Sequence, residues 1–569
     1  SENRIDEHFD PKRIESINLT LYRYLTYTKE GDDLISIDVR VRQIGDTLTG
    51  DEVVKDRKFF NVLRQKSTGK LNSIEWEEVD KKKIEDAKLY IVKNYPHQAK
   101  KVSEIEKTKY LYLDEHGNIY FPIFLRKFVE AQGNENQEIR NYRTLEPQRR
   151  HTIVAQKYRE KITPLLKEYN IELQPIQNFA KLHTTQFLVG GGNVVTKSGY
   201  YDLVNAVRRY GLYKIREIYN LVVVNTIPNY NISHFVNMLS GKFREFRLNC
   251  NIQTTNFVNW ERNNEYEIEK RIGNKFLKYV NEQYNFSEFM PIIIHPKDNS
   301  LIYRATKRIL IEKGIPSQFV SFETINSNLA NSIYNILFGI VAKFGDEPFV
   351  LYRGNEDIDY FIGYDVSREK REKKVRNFSG STYFFSKHGE FEEVIRFYPE
   401  GEKIRGEELR KLLPPEKLEN KTIVIHRDGR GLSEEIEELK EYSKTWNIKL
   451  HLVYIAKRPT VRIFKKEKTI KNPEKGIYLQ YMENRAILVT SDSKIGTKQP
   501  LKVEYIPINT KPMSFETILQ DILNLTYLNY SSVSDIKLPI TTYYSHQISN
   551  LIRQGIEPSQ SVLDKPYWI

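Results

Sequence analysis

The chain has 569 residues, with 88 Lys and Arg against 75 Asp and Glu, for a formal net charge of +13. A single cysteine, Cys250, excludes an intrachain disulfide and a cysteine-rich zinc site, and no run approaches the roughly 18 apolar residues of a membrane-spanning helix. At roughly 150 residues per domain the length predicts about three to five domains, and the basic balance favours a polyanionic partner, most simply nucleic acid. The amino terminus, SENRIDEHFDPKRIES, is polar and mixed in charge, unlike a signal peptide. A soluble cytoplasmic protein is expected, and the first residue, Ser, suggests a trimmed chain. Many of the 37 Tyr and 28 Phe are interleaved with Lys and Arg, as in YRATKR. That pattern suits stacking platforms in a basic groove and equally the core of a β-sheet.

Residues 18–43 alternate, as in LISIDVRVR, and predict strands. Residues 76–107 are rich in Lys and Glu and lack a sustained apolar period. YLYLDEHGNIYFPIF predicts a hairpin over 109–124, with Gly117 and Asn118 at the turn. Residues 145–170 place Leu and Ile at helical spacing. GGGN at 190–193 is a loop; no GK[ST] follows it, so it does not read as a phosphate loop.

From about residue 216, strands such as LVVVN and PIIIH alternate with helical segments such as SLIYRATKRILIEKG and NSNLANSIYNILFGIVAKFG. Such alternation implies parallel βαβ units and a Rossmann-like sheet. A second alternation starts at 359. DYFIGYDVS predicts a strand, STYFFSKHGEFEEVIRFYP a hairpin, KTIVIHRDG a strand, LSEEIEELKEYSKTW a helix and KLHLVYIAK a strand. This order is similar to the RNase H topology. Two further helices are predicted near the end, in SFETILQDILNLTYLN and TYYSHQISNLIRQ.

Asp365 follows the apolar run YFIGY and Asp428 follows TIVIH, so each carboxylate falls at the carboxyl end of a predicted strand. Ligands of open α/β sheets bind beyond those ends. Clustered carboxylates repel unless cations neutralise them, and oxygen ligands suit Mg2+ or Mn2+. The plainer reading, two turn aspartates at strand ends, stands beside it.

The words YFIGYDVS, IVIHRDGR and LPITTYYSH together resemble the PIWI domain of the Argonaute family. The resemblance implies a metal-binding tetrad of Asp365, Asp428, an inserted Glu, and His546 seven residues after Pro539. Glu402 in PEGEKIRGEEL is the best match for the inserted Glu, with Glu400 as its rival; Asn550 contends with His546. Asp365, Asp428 and His546 would hold two divalent cations, Mg2+ or Mn2+. The block upstream is similar to the MID domain of the same family. That domain grips the 5′ end of a guide strand, here through Tyr303, Lys307, Gln318 and Lys343. Tyr303 and Lys307 are spaced i, i+4 and share one helix face. A further Lys of some relatives is replaced by Gly339. A third metal ion, between the guide phosphate and the terminal carboxylate of Ile569, is a further implication.

The expected fold is therefore α/β and multidomain: a Rossmann-like MID domain at 216–350 and an RNase H-like PIWI domain at 351–569. A smaller mixed α/β PAZ-like region precedes them at 49–144. Residues 1–48 would be an N-terminal remnant or first linker, and 145–215 a second linker. The expected activity is metal-dependent endonuclease cleavage of a complementary single strand. A short 5′-phosphorylated guide would direct it, with DNA favoured and RNA open on either strand. Host defence, a monomeric state and no membrane partner complete the expectation. The alternatives are a guide-loaded binding protein that does not cut, and an unguided RNase H-like nuclease.

Overall fold

The structure is a computed structural model. From residue 134 onward it describes the chain except 173–175, 177, 198, 200, 259–266, 287, 298–299, 372–373, 398–405, 430–432, 493–494, 532–535, 554–555, 557–564 and 567–569. Before residue 134 it describes 2–14, 19–30, 34–45, 62–64, 70–71, 74–78, 81–94, 110–114, 119–120 and 125–127. The chain divides into two compact units. One is Ser1–Pro175 with Thr460–Asn472 and Ser493–Lys498; the other is the remainder.

The first unit opens with an antiparallel meander of β1 (Glu2–Ile14), β2 (Leu19–Glu30) and β3 (Leu34–Gly45). The alternation over 18–43 marks β2 and β3, whereas the polar β1 carries no such signal. Of the predicted hairpin, β4 (Tyr110–Asp114) pairs antiparallel with β5 (Ile119–Tyr120), and its predicted turn at Gly117 and Asn118 lies outside the described residues. Helix α1 (Lys81–Asn94) lies in the stretch without an apolar period. Its Lys, Glu and Ala are good helix formers, and its Leu89, Tyr90 and Val92 are exposed, so propensity rather than a buried stripe marks it. Helix α2 (Pro147–Lys157) has Pro in its first turn, where no intrahelical N–H is lost. The carboxylate of Asp38 on β3, 1% exposed, takes Arg150 from α2 at 2.6 Å and Arg462 at 3.3 Å. A buried charge must be paired, and this one ties three distant stretches of sequence together.

The second unit holds both predicted alternations. β6 (Tyr219–Asn225), α3 (Ser233–Glu245), β7 (Cys250–Asn256), α4 (Glu267–Gln283), β8 (Met290–His295), α5 (Leu301–Glu312), β9 (Gln318–Ser321) and α6 (Leu329–Lys343) form a parallel sheet in the order β7–β6–β8–β9. Leu221 and Val223 face a core with Phe235, Leu239 and Leu337. Val222 and Val224 face a core with Phe276, Val280 and Ile302. A sheet buried on both faces reads as a continuous apolar run, which is why LVVVN is legible.

A nine-stranded sheet follows. From one edge inward, five of its strands are β10 (Tyr360–Arg371), β11 (Lys374–Ser386), β12 (Phe391–Phe397), β13 (Thr422–Asp428) and β14 (Lys449–Ala456), in the order β12–β11–β10–β13–β14 with β12 at the edge. The first three form an antiparallel meander; β13 and β14 join in parallel. Between those two strands, α7 (Ser433–Thr445) packs Leu439 and Tyr442 on one face of the sheet. On the other face lie α8 (Phe515–Leu525) and α9 (Ile540–Arg553), with Ile522, Tyr544 and Ile548 in the core. Among the described residues no helix is long and apolar enough to cross a membrane.

Helix α9 approaches β10 so closely that a Cβ added at Gly363 would stand 2.2 Å from the carbonyl oxygen of Thr541. Gly363→Ala is expected to lower stability by about 2 kcal/mol through overpacking, read by thermal unfolding. At Gly241, inside α3, an added Cβ meets nothing within 4 Å. Gly241→Ala is expected to raise stability by up to about 1 kcal/mol.

Candidate nucleic-acid interface and active site

Two sites form in the second unit. The first lies between α5, β9 and the end of α6. Ser300 caps α5 and accepts from the Tyr303 N–H, which fixes the first turn. The ring of Tyr303 packs on His295 at 4.7 Å and on Phe319 at 5.3 Å between centroids. One turn on, Lys307 Nζ donates to the Tyr303 hydroxyl at 2.6 Å, with its ammonium 5.0 Å from that ring. Across the pocket, Lys343 Nζ donates to Gln318 Oε1 at 2.7 Å. The four residues singled out in the sequence thus form two touching pairs. Lys343 is 1% exposed, and burial together with the charge of Lys307 pushes its ammonium down to about 7. Among the described residues no carboxylate pulls it the other way. A buried ammonium of this kind is costly by itself and welcomes an anion. Gly339 lies one turn before Lys343, and a Cβ there would stand 3.1 Å from Gln318 Oε1. A side chain at 339 would therefore crowd the amide that holds Lys343. Ile569 lies outside the described residues. A Cβ built at Gly345 would lie 3.7 Å from the Lys565 side chain, so the tail passes two residues beyond Lys343.

The second site lies at the carboxyl end of β13 and beside the middle of β10: contrary to the sequence expectation, Asp365 does not end its strand, because β10 runs on to Arg371 in its pairing with β11. Their parallel register runs through Gly363↔His426 to Tyr364↔Arg427, so Asp365 and Asp428 each stand one residue beyond the last pair. The start of α9 docks on the same register pair: Thr541 meets Gly363 through its carbonyl and His426 Nδ1 through its hydroxyl at 2.9 Å. His426 is fully buried, and desolvation pushes it down to about 3, so it is a neutral hydrogen-bonding strut. Helix α9 carries His546, which is half-buried. Asp428 is partly exposed, and its Oδ2 accepts from Lys457 Nζ at 2.5 Å. The side chains of Asp365 and Asn550, and all of Glu400 and Glu402, lie outside the described residues. Among the described residues no three His, Cys, Asp or Glu side chains cluster as a metal site. The donor chemistry fits a hard divalent ion: a carboxylate that already attracts a cation, a second aspartate on the neighbouring strand, and a helix-borne imidazole.

Four contributors, His295, Phe319, His426 and Lys457, escaped the sequence reading. His295 and Phe319 flank Tyr303, and His426 anchors α9. Each His ends an apolar run, in PIIIH and TIVIH, and that position was the available signal. Lys457 carried none, because its contact depends on the pairing of β13 with β14.

A four-stranded parallel layer with a nine-stranded sheet that carries aspartates on two neighbouring parallel strands defines the class as α/β proteins with an RNase H-like core. The family model described as Piwi domain matches residues 289–557. The Argonaute protein of Aquifex aeolicus is 28% identical over 95% of this chain and 76% of its own length. That of Pyrococcus furiosus is 30% identical over 44% of this chain and 34% of its own. The structure of Clostridium butyricum Argonaute, bound to a guide DNA and a 19-mer target DNA, superposes with a TM-score of 0.73 at 19% identity, over 98% of this chain and 81% of that one. The chain thus carries a match to the Piwi domain and is similar to Argonaute proteins along nearly its whole length.

The depressed Lys343 carries a pH signature. Between pH 7 and the ordinary lysine value of 10.5, the unfolded chain holds a proton that the folded chain has released. Stability contributed by this residue therefore rises with pH across that window, and its penalty is full below pH 7. Lys343→Met is expected to raise the unfolding temperature at pH 6 and to lose that advantage by pH 10, measured on the ligand-free protein.

Proposed function

We propose that this protein is a guide-directed endonuclease. The observation that carries the reading is the convergence of Tyr303, Lys307, Gln318 and Lys343 around a buried ammonium, in the same unit as the aspartates of β10 and β13. Tyr303 is placed to stack on the first base of a guide, and Lys307, Gln318 and Lys343 to donate to its 5′ phosphate. On this reading 216–350 is the MID domain and 351–569 the PIWI domain; 49–144 stands in the place of PAZ, flanked by linkers. Base pairing with the guide selects the target, and the protein follows the backbone.

Asp365, Asp428 and His546 would hold two divalent cations, Mg2+ or Mn2+, which when bound supply an activated water and stabilise the leaving oxygen. Glu402, with Glu400 as its rival, would complete the acidic set. A further cation would lie between the guide phosphate and the Ile569 carboxylate. A DNA guide and a DNA target are favoured, with RNA on either strand as the alternative. The Clostridium butyricum neighbour, with its guide and target DNA, supports that preference. Defence against invading nucleic acid is the proposed role, in the cytoplasm and as a monomer.

The test is incubation with a 5′-phosphorylated DNA guide of about 20 nucleotides, a labelled complementary strand and Mn2+. One cut at a fixed distance from the guide 5′ end is expected, lost with EDTA and in Asp428→Ala. Retained guide binding without any cut would instead identify a silent binding protein. Cutting without a guide would identify an unguided nuclease.

A further inference from the structure

Lys457 follows β14 directly, where the register Asp428↔Ile455 brings the strand end beside that of β13. Its ammonium bonds Asp428 Oδ2 at 2.5 Å, and both side chains are about 30% exposed, at 29% and 30%. The backbone under it is braced. Lys537 donates its ammonium to the Lys457 carbonyl, and the Lys537 carbonyl accepts from Thr490 Oγ1 at 2.6 Å. The neighbouring cation is committed elsewhere: Arg427 pairs with Glu435 at 2.6 Å, with its guanidinium near the rings of Tyr364 and Tyr454. Lys457 is thus a braced cation on the carboxylate that ends β13.

We propose that Lys457 is a resident counter-cation of Asp428, holding that carboxylate in the metal-free protein and yielding the oxygen when a divalent ion loads. The proposal rests on the reading of Asp428 as a metal ligand. Two adjacent aspartates need positive charge nearby. A half-exposed ion pair is weak, and lysine is a point charge on a flexible stem, so it can release the oxygen without unfolding its surroundings. A bidentate arginine would hold more firmly. The competing view, a surface ion pair with no bearing on metal, makes a different prediction.

The experiment is calorimetric titration of the full chain, without nucleic acid, with MnCl2, alongside unfolding curves in EDTA and in Mn2+. Lys457→Met is expected to bind Mn2+ about two- to fivefold more tightly, the range a half-exposed pair supports. It is also expected to unfold earlier than the wild type in EDTA and to recover in Mn2+. Lys457→Gln should behave the same way, and Lys457→Arg should bind Mn2+ no more tightly than the wild type. Unchanged or weaker Mn2+ binding by both neutral variants, with binding lost in Asp428→Asn, would overturn the counter-cation role and leave the metal site standing. Full Mn2+ binding by Asp428→Asn would overturn the metal site and the counter-cation role together.

Discussion

The parallel pairing of β10 with β13 is the constraint on which the rest of the second unit depends. Side chains alternate across a sheet, so a slip of one residue would exchange every inward group for an outward one. The pair Gly363↔His426 resists that slip in two ways. Gly363 leaves the room that the Thr541 carbonyl occupies, and His426 supplies the ring nitrogen that the Thr541 hydroxyl meets. Helix α9 is thereby fixed over the same register that places Asp365 beside Asp428. One packing contact thus fixes the helix that carries His546 to the strand pair that carries Asp365 and Asp428.

The cationic pocket follows a different logic. A lysine that is 1% exposed, partnered by an amide and repelled by a second lysine, does nothing for the stability of the parallel layer. The surrounding core carries it, through residues such as Leu337, Ile340 and Val341 on the same helix. Violations of local design that a fold tolerates tend to mark sites of function. The depressed ammonium at Lys343 is such a violation, and an incoming phosphate would remove it by supplying the missing negative charge.

Much of this was legible in the sequence because both sheets are buried on two faces. LVVVN, PIIIH and TIVIH stand out as apolar runs, and YFIGYDVS, IVIHRDGR and YYSH carry the family resemblance. The i, i+4 spacing of Tyr303 and Lys307 predicted a shared helix face, and the two do touch. Other features were hidden for physical reasons. Helix α1 bunches its apolar residues in the run LYIV and not along one stripe, so periodicity could not find it. Strand β1 pairs through its backbone while its sequence alternates weakly. The contacts of Lys457 with Asp428 and of His426 with Thr541 join residues that only strand order and helix docking bring together. Asp38 gathers Arg150 and Arg462 across the first unit in the same way.

The account turns on the claim that the pocket around Lys343 receives the terminal phosphate of a guide strand. The most direct measurement is the equilibrium binding of two DNA strands of one sequence, one with a 5′ phosphate and one with a 5′ hydroxyl. The account predicts that the phosphorylated strand binds at least about tenfold more tightly, as charge-assisted donors allow, and that Lys343→Met abolishes the difference. Equal affinity of the two strands for the unaltered protein would contradict it.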